Sequence, residues 1–167
     1  IFSIIYKTLN RTFRWHIKTS HIKYLKCPYS NKILSLDKKN KVKKIGDEII
    51  YGKLITNDGK HSYDIKDGIA SFVTTSNYSN NFGKQWSVFK RTQLDSYSKL
   101  PISENRFFHA TNWKKKEIKN KLVLDVGCGA GRFAEIALKA GAHLIAIDYS
   151  FAVKSAYENL CSYPNFS

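Results

Sequence analysis

The segment 121–150, KLVLDVGCGAGRFAEIALKAGAHLIAIDYS, constrains the fold of this chain more than any other stretch. Its apolar run Leu122, Val123 and Leu124 leads into a turn with glycine at three alternate positions. An apolar run that ends in glycines is typical of a buried parallel strand entering a tight loop. Glycine lets the backbone take positive φ and leaves room beside the main chain. We therefore predict a strand and a loop that present a ligand to the start of a helix.

The residues after this loop predict a helix and a second buried strand. Gly141 is a residue type that commonly ends helices. The apolar run 144–147 fits a strand, and Asp148 follows at its carboxyl end. A strand, a helix and a strand in this order predict an α/β fold with parallel strands. The helix is indicated by apolar residues at positions i, i+3, i+4 and i+7, namely Phe133, Ile136, Ala137 and Ala140.

Two acidic residues flank the glycine loop and narrow the class of ligand. Asp148 lies 21 residues after Gly127, where nucleotide-binding βαβ units place an acid that binds a ribose diol. The dinucleotide fingerprint requires a glycine at position 132, but this residue is Arg132, and the spacing is GxGxG. Asp125 at the mouth of the loop would repel a pyrophosphate and suits an ammonium group. These features favour an aminoacyl nucleoside over NAD.

LVLDVGCGAGRF followed by GAHLIAIDYS resembles the first two motifs of class I S-adenosylmethionine-dependent methyltransferases. The resemblance implies a Rossmann-like doubly wound fold, of which residues 121–167 would be an incomplete S-adenosylmethionine-binding domain. It places Asp125 near the methionine amino group and Asp148 on the ribose hydroxyls. The other cofactor-binding residues that it implies are the loop glycines Gly127, Gly129 and Gly131, the small loop residue Cys128, and Tyr149 beside the adenine. No catalytic base is named, because methyl transfer depends mainly on positioning and exclusion of water.

Residues 27–75 predict a small β-rich module, because short alternating runs are separated by turn signals at 57–59 and 66–68. The order of LKCP, GKLIT, NDGKHSYDI and KDGIASF is similar to the zinc-ribbon-like module in front of many such methyltransferases. The predicted strands are 33–36, 48–51, 53–56 and 62–65.

The module lacks the residues that a zinc ribbon requires. Its zinc form needs two CxxC pairs, whereas Cys27 is followed three positions later by Ser30, and 55–59 contains no cysteine. Cys27 with His21 and His61 is the remaining alternative, and we expect no metal. We predict instead that the module is held by an apolar core of Leu54, Tyr63, Ile65, Ile69 and Phe72.

The first 26 residues form a basic segment that predicts an amphipathic helix. Apolar residues recur every four positions, and we favour packing on the chain's own domain over an anionic membrane surface. The apolar positions are Ile1, Ile5, Leu9, Phe13 and Ile17.

Residues 76–120 predict a polar linker and two helices, which the resemblance assigns as lid helices over the cofactor pocket. Pro101 separates the helices, and Ser103 is a candidate N-cap for the second. Trp86 and Tyr97 fit either an aromatic lid over a sulfonium or a packed core. The first helix would contain Phe82, Trp86 and Phe89, and the second would run from Arg106 through Phe107 and Phe108 to Trp113.

Residues after Asp148 predict a second helix capped by Ser150, and a third strand that should begin near 163–167. Because a doubly wound sheet needs more strands, we expect a fragment of a longer enzyme or, as an alternative, a partner chain that completes the sheet. The apolar positions of this helix are Val153, Ala156, Tyr157 and Leu160.

The net charge of +15 is concentrated away from the glycine loop. Residues 1–46 carry twelve Lys or Arg and one acid, and only five of the 28 basic residues are Arg. Phosphate recognition with planar donors would favour more Arg, so nucleic-acid binding is not favoured. No run approaches the roughly 18 apolar residues of a membrane span, and no signal peptide is visible, so we expect a cytoplasmic protein.

These features favour a methyltransferase that acts on a small-molecule or glycoconjugate acceptor. An RNA-directed methyltransferase and a non-catalytic remnant stay open as alternatives. The three cysteines are too far apart for a disulfide framework, and we expect reduced thiols.

Overall fold

The computed structural model describes residues 17–73 and 89–167, which form a mixed α/β structure. Residues 17–73 build an antiparallel module around a long central strand. In this module β1, β3, β4 and β5 are hydrogen-bonded in that order, and β2 also pairs with β3. The module contains the 3₁₀ helix Thr19–Tyr24 and the strands β1 (Leu34–Leu36), β2 (Lys43–Ile45), β3 (Glu48–Thr56), β4 (Ser62–Lys66) and β5 (Ile69–Ala70).

Two of the predicted strands are one strand in the structure. β3 runs unbroken over nine residues through Gly52, which pairs with Ile65 of β4 and so keeps the ladder intact. The sequence did not predict β2, since its three residues are all exposed and show no apolar alternation. Strand prediction from alternation therefore missed an edge strand that faces water on both sides.

An apolar cluster holds the module together and confirms much of the predicted core. Leu54, Tyr63 and Ile65 are buried in it, and Phe72 packs against it. The prediction for Ile69 is wrong, because the register pairs Ile69 with Lys66 on the outer face of the hairpin. The tight turn before β5 sets this register, and a shift of one position exchanges the two faces of a strand. The other buried members are Ile22, Cys27, Leu34 and Ile49.

The described end of the basic N-terminal segment belongs to this module. Ile17 N–H donates to Gly68 O at 2.9 Å, and Ile49 N–H donates to Ile17 O at 2.9 Å. Residues 17–26 form a 3₁₀ helix flanked by isolated bridges, so the predicted α-helix does not extend to residue 26. Its other apolar positions, Ile1, Ile5, Leu9 and Phe13, lie outside the described residues.

Noncovalent contacts surround Cys27, the single cysteine of the β module. Cys27 Sγ lies 3.0 Å from Tyr63 Oη and accepts a hydrogen bond from Ser30 N–H at 3.4 Å. Lys32 precedes β1 and Asp58 lies in the turn between β3 and β4, and Lys32 Nζ lies 2.6 Å from Asp58 Oδ2. Within the described part of the chain, no group of three or more His, Cys, Asp or Glu side chains is placed to hold a metal.

Residues 89–167 build an α/β unit whose two strands are parallel and fully in register, from Leu122 opposite His143 to Val126 opposite Ile147. Phe166 forms an isolated parallel bridge with Leu144 on the outer edge of the second strand, within the stretch 163–167 where the sequence predicts the start of a third strand. The elements are α1 (Asp95–Ser98), α2 (Ile102–Thr111), α3 (Lys115–Ile118), β6 (Leu122–Val126), α4 (Arg132–Lys139), β7 (His143–Ile147) and α5 (Ala152–Leu160).

The apolar spacing of helix α4 predicts one buried face, but the structure buries the helix on more than one face. All residues from 134 to 138 are buried, including Glu135, whereas Phe133 and Ala140 are only half-buried. The sheet covers one side of α4, and α1 and α2 lie on another, where Ser96 N–H donates to Glu135 Oε2 at 3.3 Å. Gly141 takes φ +86° directly after the helix, as its predicted role at the helix end requires.

In the described part of residues 76–120, the start of helix α2 is capped by a residue other than the predicted one. Ser103 does not cap α2, since it lies in the first turn of the helix and its hydroxyl donates to Gln93 O. Asp95 of α1 provides the cap, with its carboxylate accepting from Ser103 N–H at 2.9 Å and Glu104 N–H at 2.8 Å. Helix α2 ends at Thr111, before Trp113. Phe82, Trp86 and the linker 77–81 lie outside the described residues.

Among the described residues, no element covers one face of the parallel sheet. Leu122, Leu124 and Val126 alternate along β6 on this face, and Ile147 lies beside them on β7. Val126 is 70% exposed and Leu124 is 57% exposed, which is unusual for a parallel sheet. Among residues 17–73 and 89–167, no helix has the length and apolarity needed to cross a bilayer.

Candidate functional site

The glycine-rich loop 127–131 joins β6 to α4, and its backbone is tied to the end of β7. Gly127 N–H and Cys128 N–H both donate to Ile147 O, at 2.8 and 3.1 Å. Gly129 N–H donates to Asp148 Oδ2 at 2.8 Å. These amides are therefore satisfied within the protein and are not available to a phosphate.

The glycines of this loop are required for two different reasons. Gly127, Gly129 and Gly131 all take positive φ, at +77°, +53° and +91°. A Cβ on Gly127 would meet no heavy atom within 4 Å, so the space beside it is open. A Cβ on Gly131 would lie 2.5 Å from Leu160 Cδ1 of α5. Gly127 thus borders space that a ligand can enter, whereas Gly131 lets α5 pack against the loop.

Asp125 and Asp148 lie close enough for their charges to interact. Burial raises the pKa of Asp125, the negative charge of Asp148 raises it further, and the N–H of Ala134 partly opposes both. Within the described residues, neither carboxylate forms an ion pair with Lys, Arg or His. A cationic group of a ligand placed between them would be stabilised by both carboxylates.

Asp148 has a structural role that sequence reasoning missed. Its Oδ1 accepts hydrogen bonds from Ser150 N–H at 2.8 Å and Ser150 Oγ at 2.6 Å, while Oδ2 accepts from Gly129 N–H. A carboxylate offers about four acceptor positions, and three are already used. Asp148 can therefore accept one further hydroxyl, rather than both hydroxyls of a ribose diol, without losing an internal bond.

Ser150 and the helix after it follow the predicted pattern with a shift of one residue. Helix α5 begins at Ala152, and its N-cap position is Phe151. Ser150 Oγ nevertheless accepts from Ala152 N–H at 3.2 Å, so it satisfies one of the free amides at the helix start. Ala156 and Leu160 of the predicted stripe are buried, and Val153 and Tyr157 are half-buried.

The thiol of Cys128 is not suited to act as a nucleophile. The side chain is 6% exposed, and its burial, with the charges of Asp148 and Asp125, raises the pKa of the thiol to about 12. The thiol therefore stays protonated near neutral pH, and only the thiolate is a good nucleophile. Its contribution to the loop includes the backbone N–H that donates to Ile147 O.

Tyr149 follows β7 at the surface, with 65% of its area exposed. An exposed ring next to Asp148 can stack against a flat base without any prior rearrangement of the core. The structure thus places all seven predicted site residues at the loop or at the carboxyl ends of the two parallel strands.

Asn159 of α5 is a site residue that the sequence did not reveal. Its Nδ2 donates to Ala130 O at 2.9 Å and to Lys90 O at 2.6 Å. Its Oδ1 is buried and receives no hydrogen bond from the described residues. No motif or spacing marks Asn159, since both of its bonds are to backbone carbonyls distant in the chain.

Comparisons with known proteins do not place the chain in a family. No protein-family model matches it. No curated protein matches it significantly. The residues and geometry of the loop are therefore the basis for a functional proposal.

Proposed function

We propose that this protein is an S-adenosylmethionine-dependent methyltransferase with a Rossmann-like catalytic domain, acting on a small-molecule or glycoconjugate acceptor. The observation that supports the proposal most is the placement of two carboxylates, neither in an ion pair with a described residue, beside a loop of positive-φ glycines. S-adenosylmethionine carries an ammonium, a sulfonium and a ribose diol. Two carboxylates beside open backbone are complementary to that combination, and the loop has few free amides for a pyrophosphate.

Each residue of the site has a distinct part in this proposal. Asp125 attracts the methionine ammonium. Burial and the charge of Asp148 destabilise the charged form of Asp125, and a cation beside it would offset both effects. Asp148 accepts one ribose hydroxyl at its remaining acceptor position. Gly127 admits the ligand, and Tyr149 stacks on the adenine. When bound, the cofactor supplies an activated methyl group that an acceptor nucleophile can take, so the protein mainly orients the two molecules.

Calorimetric titration with S-adenosylhomocysteine tests this proposal. We expect Asp148→Ala to weaken binding by at least about tenfold, which corresponds to one charge-assisted hydrogen bond. Because Asp148 also holds Gly129 and Ser150, the Ser150→Ala variant is a matched control. It removes the two hydrogen bonds of the Ser150 hydroxyl, to Asp148 and from Ala152 N–H, but keeps the Asp148 carboxylate. Asp67→Ala, on an exposed turn of the β module, is a control for general charge effects. Near-normal affinity of Asp148→Ala, or binding of NADH in place of S-adenosylhomocysteine, would contradict the proposal.

The RNA-directed alternative has one structural observation in its favour. Five exposed lysines lie on β2 and the connection that precedes it, namely Lys38, Lys39, Lys41, Lys43 and Lys44. Lysines on an edge strand such as β2 also prevent edge-to-edge association, so they have a sufficient structural reason. An RNA-directed enzyme would bind RNA with an affinity that falls steeply with salt, and replacing Lys38, Lys39 and Lys41 by Gln would reduce that slope.

A further inference from the structure

An open surface cavity of about 490 Å³, lined mostly by exposed side chains, lies on the α/β unit outside the residues assigned to the cofactor. We propose that this cavity is the acceptor site, and that it takes a small molecule with a flat ring and an anionic group such as a phosphate or a carboxylate. The acceptor role rests on the proposed methyltransferase function. The described residues that line it are Phe89, Lys90, Arg91, Thr92 and Tyr97.

The wall of the cavity is a turn with a fixed backbone and exposed side chains. Thr92 N–H and Thr92 Oγ1 both donate to Phe89 O, at 3.2 and 2.9 Å. Leu94 N–H donates to Arg91 O at 3.0 Å, and the Leu94 side chain is buried beneath the turn. Phe89 and Tyr97 are 59% and 61% exposed, which excludes the packed-core alternative for Tyr97. The rings are thus held by an anchored backbone but remain accessible.

Asn159 connects this wall directly to the glycine-rich loop. One nitrogen atom, Asn159 Nδ2, donates to Lys90 O in the wall and to Ala130 O in the loop. Lys90 Nζ also lies 2.6 Å from Glu158 Oε2 on the same helix. Two hydrogen bonds from a single atom place the cavity next to the loop that we propose to bind the methyl donor. An acceptor site must have this proximity, because transfer requires the reacting atoms to approach closely.

The side chains of the cavity define the chemical class of its ligand. Glu158 offsets the charge of Lys90, whereas Arg91 forms no ion pair with any described residue. A guanidinium binds phosphate or carboxylate through two parallel hydrogen bonds. Phe89 and Tyr97 offer ring faces to a flat apolar group. A ligand that combines both features can use all three side chains, whereas an anion or a ring alone can use only part of the cavity.

Phenyl phosphate is a simple probe of this combination, and calorimetry with the full 167-residue chain at low salt measures its affinity. We expect phenyl phosphate to bind about tenfold more tightly than inorganic phosphate or benzyl alcohol, each of which offers only one of the two features. Arg91→Gln should weaken phenyl phosphate binding about tenfold, and Tyr97→Ala should also weaken it. Arg106→Gln is the matched control, because Arg106 is an exposed arginine that lines a different cavity on α2.

The outcomes separate this inference from the proposed function. Equal affinity for phenyl phosphate and inorganic phosphate, or equal losses in Arg91→Gln and Arg106→Gln, would overturn the acceptor site even if S-adenosylhomocysteine binds normally. Binding of phenyl phosphate at Arg91 by a chain that does not bind S-adenosylhomocysteine would overturn the acceptor role together with the proposed function. Selective loss in Arg91→Gln, with S-adenosylhomocysteine affinity unchanged in that variant, would support both.

Discussion

The antiparallel module and the parallel α/β unit differ in the residues that their sheets expose to water. In the module, β3 pairs with β1, β2 and β4 through antiparallel ladders. Its outer face carries charged pairs, with Asp64 within 3.3 Å of both Lys53 and Lys66. In the α/β unit, the face that α4 does not cover is apolar and exposed. One region thus faces water with charges, and the other with leucine, valine and isoleucine side chains.

This difference follows from the two kinds of sheet. Antiparallel sheets commonly have one buried face and one face in water, so alternating polar and apolar residues suffice. Parallel sheets are normally covered on both faces, so their strands are apolar throughout. The β6 residues Leu122, Leu124 and Val126 form an apolar face of the second kind, and exposed apolar patches of this sort commonly mark contact surfaces. We expect the module to be self-sufficient and the parallel sheet to depend on additional contacts.

The largest change in stability is expected when a core leucine of the module is replaced, and an exposed leucine of β6 provides the comparison. Leu54 is fully buried in the module, whereas Leu124 of β6 is exposed. We expect Leu54→Ala to lower the free energy of unfolding of the module by about 3 kcal/mol, because it leaves a cavity. Leu124→Ala should change stability by less than about 0.5 kcal/mol. Urea denaturation followed by circular dichroism measures both, and equal losses would show that the β6 face is covered in solution.

Gly131→Ala should have the next largest effect, confined to the α/β unit. The new Cβ would collide with Leu160 and would hold an unfavourable positive φ, so we expect a loss of about 2 kcal/mol. Gly127→Ala is the control, since it has the same backbone strain without the collision and should lose about 1 kcal/mol. Hydrogen exchange can locate the change, and faster exchange in the module would contradict the independence of the two regions.

Asp95→Ala should destabilise α2 by about 1 kcal/mol, because it removes the carboxylate that caps two free amides. Burial alone would raise the pKa of Asp95, but the N–H groups of Glu104 and Ser103 outweigh it and lower the pKa below its ordinary value. The cap therefore stabilises the fold above the unfolded-state pKa of Asp and is lost as pH falls through the folded-state pKa. The Tm values of the native protein and of Asp95→Ala should approach each other as the pH falls from 7 to 3. A Tm difference that does not change with pH would exclude a charged cap.

The smallest effect is expected for Asp125→Asn, and it has the opposite sign. Because the folded-state pKa of Asp125 is raised, the folded state favours the protonated carboxyl and loses stability as pH rises through that pKa. The neutral amide removes this penalty, so we expect Tm to rise by about 2 °C at pH 7 and to match the native protein near pH 3. Affinity for S-adenosylhomocysteine should fall in the same variant. A lower Tm at pH 7 would show that Asp125 is structurally required.

Sequence patterns predicted the parts of the fold that depend on neighbouring residues. The strand β6, the glycine loop, α4 and β7 follow from apolar spacing and from glycines that take positive φ. The register of β5 could not be predicted, because the turn before it decides which of Ile69 and Ala70 faces the core. Strand β2 could not be predicted either, since its pairing with β3 supplies the stability that its own polar residues do not.

The sequence by itself determined where the glycine-rich loop lies and which two carboxylates border it, because the tolerance of glycine for positive φ and the charge of Asp belong to single residues. Only the tertiary structure decided that Asp148 holds the loop, that Asp95 caps α2, and that Asn159 joins the loop to the cavity wall. The bond from Asn159 to Lys90 spans 69 positions in the chain. Such contacts form only when packing brings distant parts of the backbone together, so local sequence patterns cannot predict them.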